Sequence, residues 1–154
     1  MVQIRPERAD HPQLKALLAA LDEYLAGLYP PEANHILGVD ELLASDVTFL
    51  AVWQGERAVG CGAVRVLDDL DDGAYGEVKR MYVHPDARGQ RIGERVLERL
   101  EASLALDGVP RALLETGRDQ HAALRLYERC GYRRCAAFGG YPDNGLSLFY
   151  EKRL

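Results

Sequence analysis

The sequence predicts a mixed α/β fold in which a single sheet carries helices on both of its faces. Hairpin-like pairs of β-rich runs occupy the first half of the chain, most clearly at 47–53 and 58–67. In the second half, strands alternate with helical patterns, which is typical of crossover connections. The 154 residues, of which 47% are apolar, are enough for one core. We therefore expect one domain over residues 1–154.

Local patterns predict the first strand and the first long helix. Residues 2–5 alternate apolar and polar side chains, which is the period of a half-buried strand. Asp10 and Pro12 suit a helix start, and Pro30-Pro31 ends that helix after about Tyr29. Between these points leucines recur at helical spacing and form an apolar stripe. The leucines of this stripe are Leu14, Leu17, Leu18, Leu21, Leu25 and Leu28.

A loop, a short helix and a hairpin come next. Residues 32–38 should form a loop, and 39–44 look like a short helix. The run 47–53 is β-rich and mostly apolar, which indicates a buried strand. Residues 54–56 have the composition of a tight turn. The run 58–67 therefore pairs back on the preceding strand as the second half of a hairpin.

The second half of the chain alternates strands and helices. Residues 68–73 form an acidic loop at a solvated hairpin tip. Strands are predicted at 75–83, 111–116, 132–136 and 146–152, helices at 91–107 and 119–130, and a turn-rich loop at 138–145. The predicted order is β-α-α-β-β-β-α-β-α-β-β, which by itself does not fix a function.

Composition and charge exclude several classes of protein. The net charge is −5 without a basic block, so a nucleic-acid partner is not expected. No apolar run approaches the roughly 20 residues of a membrane span, and the first residues lack the apolar core of a signal peptide. Cys61, Cys130 and Cys135 form no C-x-x-C pair, so we expect free thiols and a cytoplasmic protein. No group of His, Cys and carboxylates has metal-ligand spacing, so no metal is expected.

The stretch 78–97 is the one with the clearest chemical signal. It reads as the end of a strand, a short loop at His84-Pro85-Asp86 and the opening of a helix at Arg88-Gly89-Gln90-Arg91-Ile92-Gly93. A helix start presents free backbone N–H groups and the positive end of the helix dipole, which together form an anion cradle. The spacing fits neither a P-loop nor the dinucleotide motif G-x-G-x-x-G.

This loop resembles the pyrophosphate loop of the GNAT acetyltransferases, written Arg/Gln-x-x-Gly-x-Gly/Ala, which holds acetyl-CoA. A second segment, 120–132, is similar to the family's N-x-x-A-x-x-L-Y-x-x-x-G-F segment. The resemblance spans nearly the whole chain. Its finer pattern is similar to a bacterial subgroup often labelled indole-acetic-acid acetyltransferase-like, a label that says little about substrate. The segments that carry the finer pattern are Pro30-Pro31-Glu32, His35, Gly60-Cys61-Gly62-Ala63, 76–81, 114–117 and 138–141.

The resemblance implies where acetyl-CoA binds. The pantetheine arm lies beside the fourth strand, a role that maps to Met81, Tyr82 and Val83. Gln120 and Tyr127 are two helical turns apart, so they share a face and line the cofactor channel. Phosphate contacts map to the amides of Arg88, Gly89, Gln90, Arg91, Ile92, Gly93 and Glu94.

Two residues depart from the family pattern. Arg91 stands where the loop usually has its middle Gly, so a close backbone approach is not expected there, although the side chain could pair with a phosphate. Gln120 replaces the usual Asn, and its longer amide reaches a hydrogen-bond partner from a different position.

Two residues are predicted to carry proton transfer. Tyr127 is the candidate general acid, since a tyrosine near its ordinary pKa keeps its proton at neutral pH. Glu77 is the candidate base, acting directly or through a water, because several family members use a glutamate at the matching place. It precedes Met81 by four residues, so both share one strand face unless a bulge intervenes. His84 is a titratable rival that fits the turn better than catalysis.

The resemblance implies an acetyl-CoA-dependent N-acetyltransferase that acetylates a small-molecule amine by direct attack in a ternary complex. The alternatives are a protein or N-terminal-peptide acetyltransferase, a non-catalytic acyl-CoA sensor and, more distantly, a nucleotide-binding module. A homodimer is common in the family. The candidate walls of the acceptor pocket are Tyr24, Tyr29, His35, Phe138 and Tyr141.

Overall fold

The computed structural model describes residues 1–154 and confirms the mixed α/β fold and the predicted order of elements. The four helices are α1 (Pro12–Leu28), α2 (Val39–Leu42), α3 (Ile92–Leu106) and α4 (His121–Arg129). The seven strands are β1 (Gln3–Pro6), β2 (Val47–Gln54), β3 (Arg57–Leu67), β4 (Tyr75–Val83), β5 (Arg111–Gly117), β6 (Arg133–Cys135) and β7 (Ser147–Arg153).

The seven strands form one sheet in the order β1-β2-β3-β4-β5-β7-β6. Strands β1 to β4 are antiparallel neighbours, and so are β5, β7 and β6. The two groups meet through the parallel pair β4 and β5, which pairs only Gly76 with Ala112 and Glu77 with Leu113. Beyond Glu77 the two strands diverge, and this divergence opens the middle of the sheet.

Helices cover both faces of the sheet, as predicted. On one face α1 and α2 bury Leu14, Leu18 and Leu42 against β2 and β3. On the other face α3 and α4 contribute Val96, Leu100 and Tyr127 to a larger cluster that includes residues of β4, β5 and β7. Burial of apolar area on this scale contributes about 25 cal/mol per Å². Burial of apolar side chains on both faces therefore stabilises the sheet.

Most element boundaries differ from the predicted ones by one or two residues, and two of the differences have a clear physical reason. A 3-10 turn at Pro31–Ala33 lies in the predicted loop, because the two prolines preset the φ angle and the short turn bonds the Ala33 amide to the Pro30 carbonyl. Strand β6 is shorter than predicted at both ends. Tyr132 is instead buried beside Tyr127, where its hydroxyl donates to Glu101.

A β-bulge in β4 overturns one detail of the predicted strand. Cys61 pairs with Tyr82 and Ala63 with Lys79, so two residues of β4 lie opposite the single residue between them on β3. The bulge flips the alternation, so that Met81 packs toward α3 while Glu77 contacts Tyr141 on the opposite face. The prediction that Glu77 and Met81 share a face is therefore wrong.

Arg80 supplies the backbone conformation of this bulge. Its φ of 58° is in the left-handed region, which is uncommon for a residue with a side chain. The guanidinium is 5% exposed, forms an ion pair with Asp22 of α1 and donates to the Leu18 carbonyl at 3.4 Å. The buried ion pair thus holds a conformation that the backbone alone disfavours.

The three cysteines are free thiols. None of the helices is both long and apolar enough to cross a membrane.

Candidate active site

Two cavities meet where β4 and β5 diverge. The larger, about 500 Å³, runs from the end of β4 to the starts of α3 and α4. The smaller, about 110 Å³, lies between β4, β5 and the segment that follows α1. Four residues line both cavities and so mark their junction. These are Leu21, Met81, Gln120 and Tyr127.

Free amides surround one end of the larger cavity. The amides of residues 89–94 donate to no protein acceptor, and the first backbone bond of α3 runs from the Arg95 amide to the Arg91 carbonyl. Gly89, with φ 84°, turns the chain so that it can enter the helix. Unpaired amides at the positive end of a 15-residue helix form a binding site for phosphate groups.

Arg91 adopts the conformation that the usual glycine would adopt. Its φ of 59° is left-handed, and it caps the N-terminus of α3. The side chain is 83% exposed and its only ion pair is with Glu94 at 3.8 Å. The loop thus keeps the geometry of a glycine loop with a side chain pointing into solvent. The predicted phosphate-loop residues that line the larger cavity are Arg88, Gly89, Arg91, Ile92, Gly93 and Glu94.

Gln90 is the one predicted phosphate-loop residue that does not line this cavity. Its side chain donates to the Ala87 carbonyl at 3.1 Å and accepts from Gln54. Its contribution is therefore to hold the loop against the hairpin of β2 and β3.

An unpaired strand edge forms the wall next to the phosphate end. Met81, Tyr82 and Val83 line the larger cavity, and β4 has no pairing with β5 beyond Glu77. Edge N–H and C=O groups that lack a partner strand are available to a ligand that lies alongside them. The edge and the free amides together fit the extended arm and the phosphates of acetyl-CoA.

Tyr127 occupies the junction of the two cavities. It is 7% exposed, and no protein group hydrogen-bonds its hydroxyl. Burial raises the pKa of this phenol well above its ordinary value, so it holds its proton throughout the neutral range. Gln120 lies at the N-terminus of α4, the helix that carries Tyr127, and it also lines both cavities. The two side chains therefore lie on one face of α4, as predicted.

A histidine and a glutamate face each other in the smaller cavity. His35 Nδ1 lies 2.8 Å from Glu115 Oε2. The same carboxylate oxygen accepts a hydrogen bond from Ser147 Oγ at 2.8 Å. Lys79 donates to the backbone carbonyl of His35 at 3.0 Å. The cavity therefore holds an imidazole that three strands, β4, β5 and β7, keep in place.

Glu77 is buried beneath this cavity and lines neither of the two. It is 1% exposed, and its oxygens lie 3.5 Å from Lys79 Nζ and 3.7 Å from the Arg65 guanidinium. The Tyr141 hydroxyl donates to Glu77 and accepts from Lys79 at 2.7 Å. Burial and the bond to Glu77 raise the pKa of Tyr141. Of the three groups that contact Glu77, only Lys79 also lines the smaller cavity.

The predicted acceptor walls divide into four groups. Tyr29 and His35 line the smaller cavity. Tyr24 lines the larger cavity and is 50% exposed, because the end of α1 reaches over the cofactor side. Tyr141 packs its ring 4.9 Å from the His35 ring and so supports the cavity from outside. Phe138 lies in a separate apolar cluster with Tyr75 and Phe149, since its ring fills the core beneath the loop.

Sequence reasoning missed several residues of the smaller cavity, chiefly Glu115, Lys79 and Ser147. Glu115 had a detectable signal, because it is the only charged residue within the apolar run 112–116 of a strand.

The turn role of His84 is also clear, since its Nδ1 accepts from the Asp86 amide at 3.1 Å.

Comparisons with known proteins agree with this geometry. The model of the acetyltransferase (GNAT) family matches residues 14–132. An IAA acetyltransferase from Azospirillum brasilense is 44% identical over 138 residues, which span 90% of this chain and 88% of the relative.

Solved structures share the whole fold. A Klebsiella pneumoniae protein assigned as an acyl-CoA N-acyltransferase is 36% identical with a TM-score of 0.80, over 100% of this chain and 98% of that one. The PaiA N-acetyltransferase of Thermoplasma acidophilum, solved with coenzyme A, has the same fold at 18% identity, with a TM-score of 0.76 over 100% of this chain and 99% of that one. Acetyl-CoA is accordingly the cofactor. The chain belongs to the GNAT family and is an acetyl-CoA-dependent N-acetyltransferase.

Proposed function

We propose that the protein acetylates the amine of a small molecule, which binds in the smaller cavity while acetyl-CoA occupies the larger one. The observation that carries this proposal is the junction of a cavity of about 110 Å³ with one of about 500 Å³ at Met81 and Tyr127. Four residues line both cavities, so two ligands that fill them come close together at this junction. Direct transfer within a ternary complex needs that arrangement.

The chain's own residues hold the donor at two places. The amides of residues 89–94 bind the phosphates, and the edge of β4 at Met81, Tyr82 and Val83 aligns the arm. When bound there, acetyl-CoA supplies an acetyl group activated as a thioester. An N–H of the same edge is suited to polarise the carbonyl that transfers. Gln120 adds an amide at the junction.

The cysteines support direct transfer over an acyl-enzyme. Burial raises the pKa of Cys61 to about 12, so its thiolate is scarce at neutral pH. Cys130 and Cys135 line neither of the two cavities. No thiol is thus both accessible to the donor and disposed to ionise.

Tyr127 is the proposed general acid. It lies at the junction, holds its proton because burial raises its pKa, and has a hydroxyl with no competing protein partner. Its position and its free hydroxyl suit it to deliver a proton to the leaving sulfur, while the raised pKa makes the phenol a weaker acid.

The family resemblance predicts Glu77 as the base, but its buried position rules out direct contact with an acceptor in either cavity. Its carboxylate is 1% exposed and is bound by Tyr141. A proton from the acceptor would reach it through the Tyr141 hydroxyl or through a water. A catalytic Glu77 would require such an indirect path.

The size of the smaller cavity favours a small acceptor over a peptide. The 3-10 turn at Pro31–Ala33 and the residues Leu146 and Ser147 enclose it, whereas a peptide needs an open groove. The IAA acetyltransferase named among the relatives makes IAA one acceptor to include in any panel. A homodimer stays a prediction of the family resemblance, and sedimentation tests it. A cytoplasmic location stays a prediction of the cysteine pattern.

The test is release of thiol from acetyl-CoA against a panel of amines, amino acids, short peptides and IAA. We expect turnover with one class of small amine. Turnover with peptides alone would favour the peptide acetyltransferase. Tight acetyl-CoA binding in calorimetry without turnover on any acceptor would favour the acyl-CoA sensor and overturn the proposal. Competition by ATP or NAD for the larger cavity would instead favour a nucleotide-binding module.

A further inference from the structure

His35 and Glu115 form a hydrogen-bonded pair inside the smaller cavity. Their Nδ1 and Oε2 atoms are 2.8 Å apart, and both side chains line the smaller cavity. The imidazole side chain is 23% exposed and the carboxylate side chain 12%. A ligand can therefore reach the imidazole, while the partial burial strengthens the hydrogen bond between the two groups. The two residues lie 80 positions apart in the chain, so the fold has brought them together.

The contact with Glu115 bears on which imidazole nitrogen carries a proton, since the role of each ring nitrogen depends on the tautomer. An ionised carboxylate only accepts hydrogen bonds, so the short contact places the proton on His35 Nδ1. The other ring nitrogen, Nε2, has no hydrogen-bond partner in the protein. A neutral imidazole in this tautomer presents a free electron pair at Nε2.

The surroundings keep this tautomer and orientation fixed. Ser147 Oγ donates to the same Glu115 oxygen, which keeps the carboxylate turned toward His35. Lys79 holds the His35 carbonyl, and the Tyr141 ring packs 4.9 Å from the imidazole. Glu77 binds Tyr141 and Lys79 from below. The buried Glu77 carboxylate therefore fixes the positions of Tyr141 and Lys79, which in turn contact His35.

We propose that His35 is the residue that accepts a proton from the acceptor amine, with Glu115 as its positioning residue. This inference rests on the proposed function. An acceptor that arrives as an ammonium ion loses one N–H bond as a bond forms between that proton and His35 Nε2. The electron pair stays on the acceptor nitrogen, which becomes the nucleophile. The imidazolium then returns the proton to solvent through the cavity.

The first test follows the imidazole directly, without acetyl-CoA. Nitrogen-15 NMR of the free enzyme should report His35 as the Nδ1–H tautomer. Glu115→Met removes the acceptor at similar volume and should shift the population toward Nε2–H. Glu115→Gln keeps an acceptor oxygen and should retain the wild-type tautomer. An Nε2–H tautomer in the wild type would overturn the proposal.

The second test measures turnover on the best amine of the panel. His35→Asn keeps a donor toward Glu115 but provides no base, and we expect kcat to fall about a hundredfold with acetyl-CoA affinity unchanged. Glu115→Met should lower kcat about tenfold, and Glu115→Gln should recover most of that loss. His121→Asn, at an exposed position outside both cavities, is the matched control.

The outcomes separate this inference from the proposed function. An active wild type together with His35→Asn within about threefold of it overturns the inference alone. In that case a hundredfold loss in Glu77→Gln would return the base to Glu77 acting through Tyr141. A wild type that turns over no amine defeats the proposed function itself and the role of the pair with it.

Discussion

The phenol of Tyr29 packs directly on the backbone of Gly117, so that a Cβ atom added there would overlap the tyrosine hydroxyl. The same hydroxyl accepts a hydrogen bond from the Asp119 amide at 3.1 Å. Tyr29 follows α1 and Gly117 ends β5, so this contact joins the two sides of the smaller cavity.

Gly117→Ala should displace Tyr29 and distort the smaller cavity. We expect a loss of about 1–3 kcal/mol in the free energy of unfolding, since the neighbour is a ring bonded to backbone and cannot retreat freely. The KM for the amine should rise as well. Urea unfolding and steady-state kinetics measure both. Gly27→Ala, where nothing lies within 4 Å of the added atom, should leave kinetics unchanged and stabilise the exposed helix.

Tyr127→Phe should lower turnover by more than about tenfold while leaving the affinity for CoA nearly intact. The hydroxyl has no protein partner to lose, so the fold should tolerate the change. Turnover and calorimetric titration with CoA check the two halves of this expectation. Tyr132→Phe removes a hydroxyl from the neighbouring buried ring, which lines neither cavity, and should retain full turnover. An unchanged rate in Tyr127→Phe would remove Tyr127 from its proposed role.

Arg91→Gly should relieve backbone strain at the N-terminus of α3. A left-handed residue with a side chain costs about 1–2 kcal/mol, and the entropy of an added glycine offsets roughly 0.4–1 kcal/mol of the gain. Because the side chain is 83% exposed and is paired only with Glu94, we expect CoA affinity to hold. Thermal unfolding and calorimetry are the measurements. A loss of affinity beyond about tenfold would mean that the Arg91 guanidinium binds a phosphate. Gly89→Ala, at φ 84°, should shift stability in the opposite direction.

Asp22→Ala should uncouple the bulge of β4 from α1. It leaves the guanidinium of Arg80, 5% exposed, without its carboxylate partner. Breaking a buried pair costs several kcal/mol, but Asp22 is itself 44% exposed, so we expect about 2 kcal/mol. The KM for acetyl-CoA should also rise, since Met81 follows the bulge. Glu23→Ala, at the exposed neighbouring position, should change neither quantity, and equal effects of the two changes would contradict this account.

Cys61 should make stability fall as the solution becomes alkaline. Burial raises its pKa from the ordinary 9.0 to about 12. Above pH 9.0 the unfolded thiol therefore loses a proton that the folded thiol keeps, so the free energy of unfolding decreases with pH. Urea unfolding from about pH 8 to about pH 10.5 should give a shallower slope for Cys61→Ala, by up to about 1.4 kcal/mol per pH unit. Equal slopes in the two proteins would mean that the unfolded and folded thiols ionise alike.

Local patterns were enough to predict the order of the elements and the free amides at the start of α3. The apolar spacing of α3 and the β-rich run of β2 are properties of neighbouring residues, and local propensity decides them. The free amides of residues 89–94 follow from the helix start alone. Gln120 and Tyr127 likewise share a cavity because one helix carries both.

Features that depend on contacts between residues far apart in the chain could not be predicted from local sequence patterns. The bulge in β4 needs Arg80 in a left-handed conformation, which Asp22 supports from 58 positions away. The contact of His35 with Glu115 exists only because β5 and the segment after α1 meet in the fold. For the same reason Phe138, an aromatic residue in a late loop, could not be assigned to the core rather than to the acceptor wall.

The two ladder positions that join β4 to β5 leave the sheet incomplete along the rest of their length. A donor that lies in this gap occupies a position that another strand would fill in a closed sheet. A donor bound there would also stabilise the protein, because a ligand that binds only the folded state shifts the folding equilibrium toward it. A concentration one hundred times the dissociation constant adds about 2.7 kcal/mol to folding. Scarcity of the donor would then remove activity twice, by starving the reaction and by exposing the protein to unfolding and proteolysis.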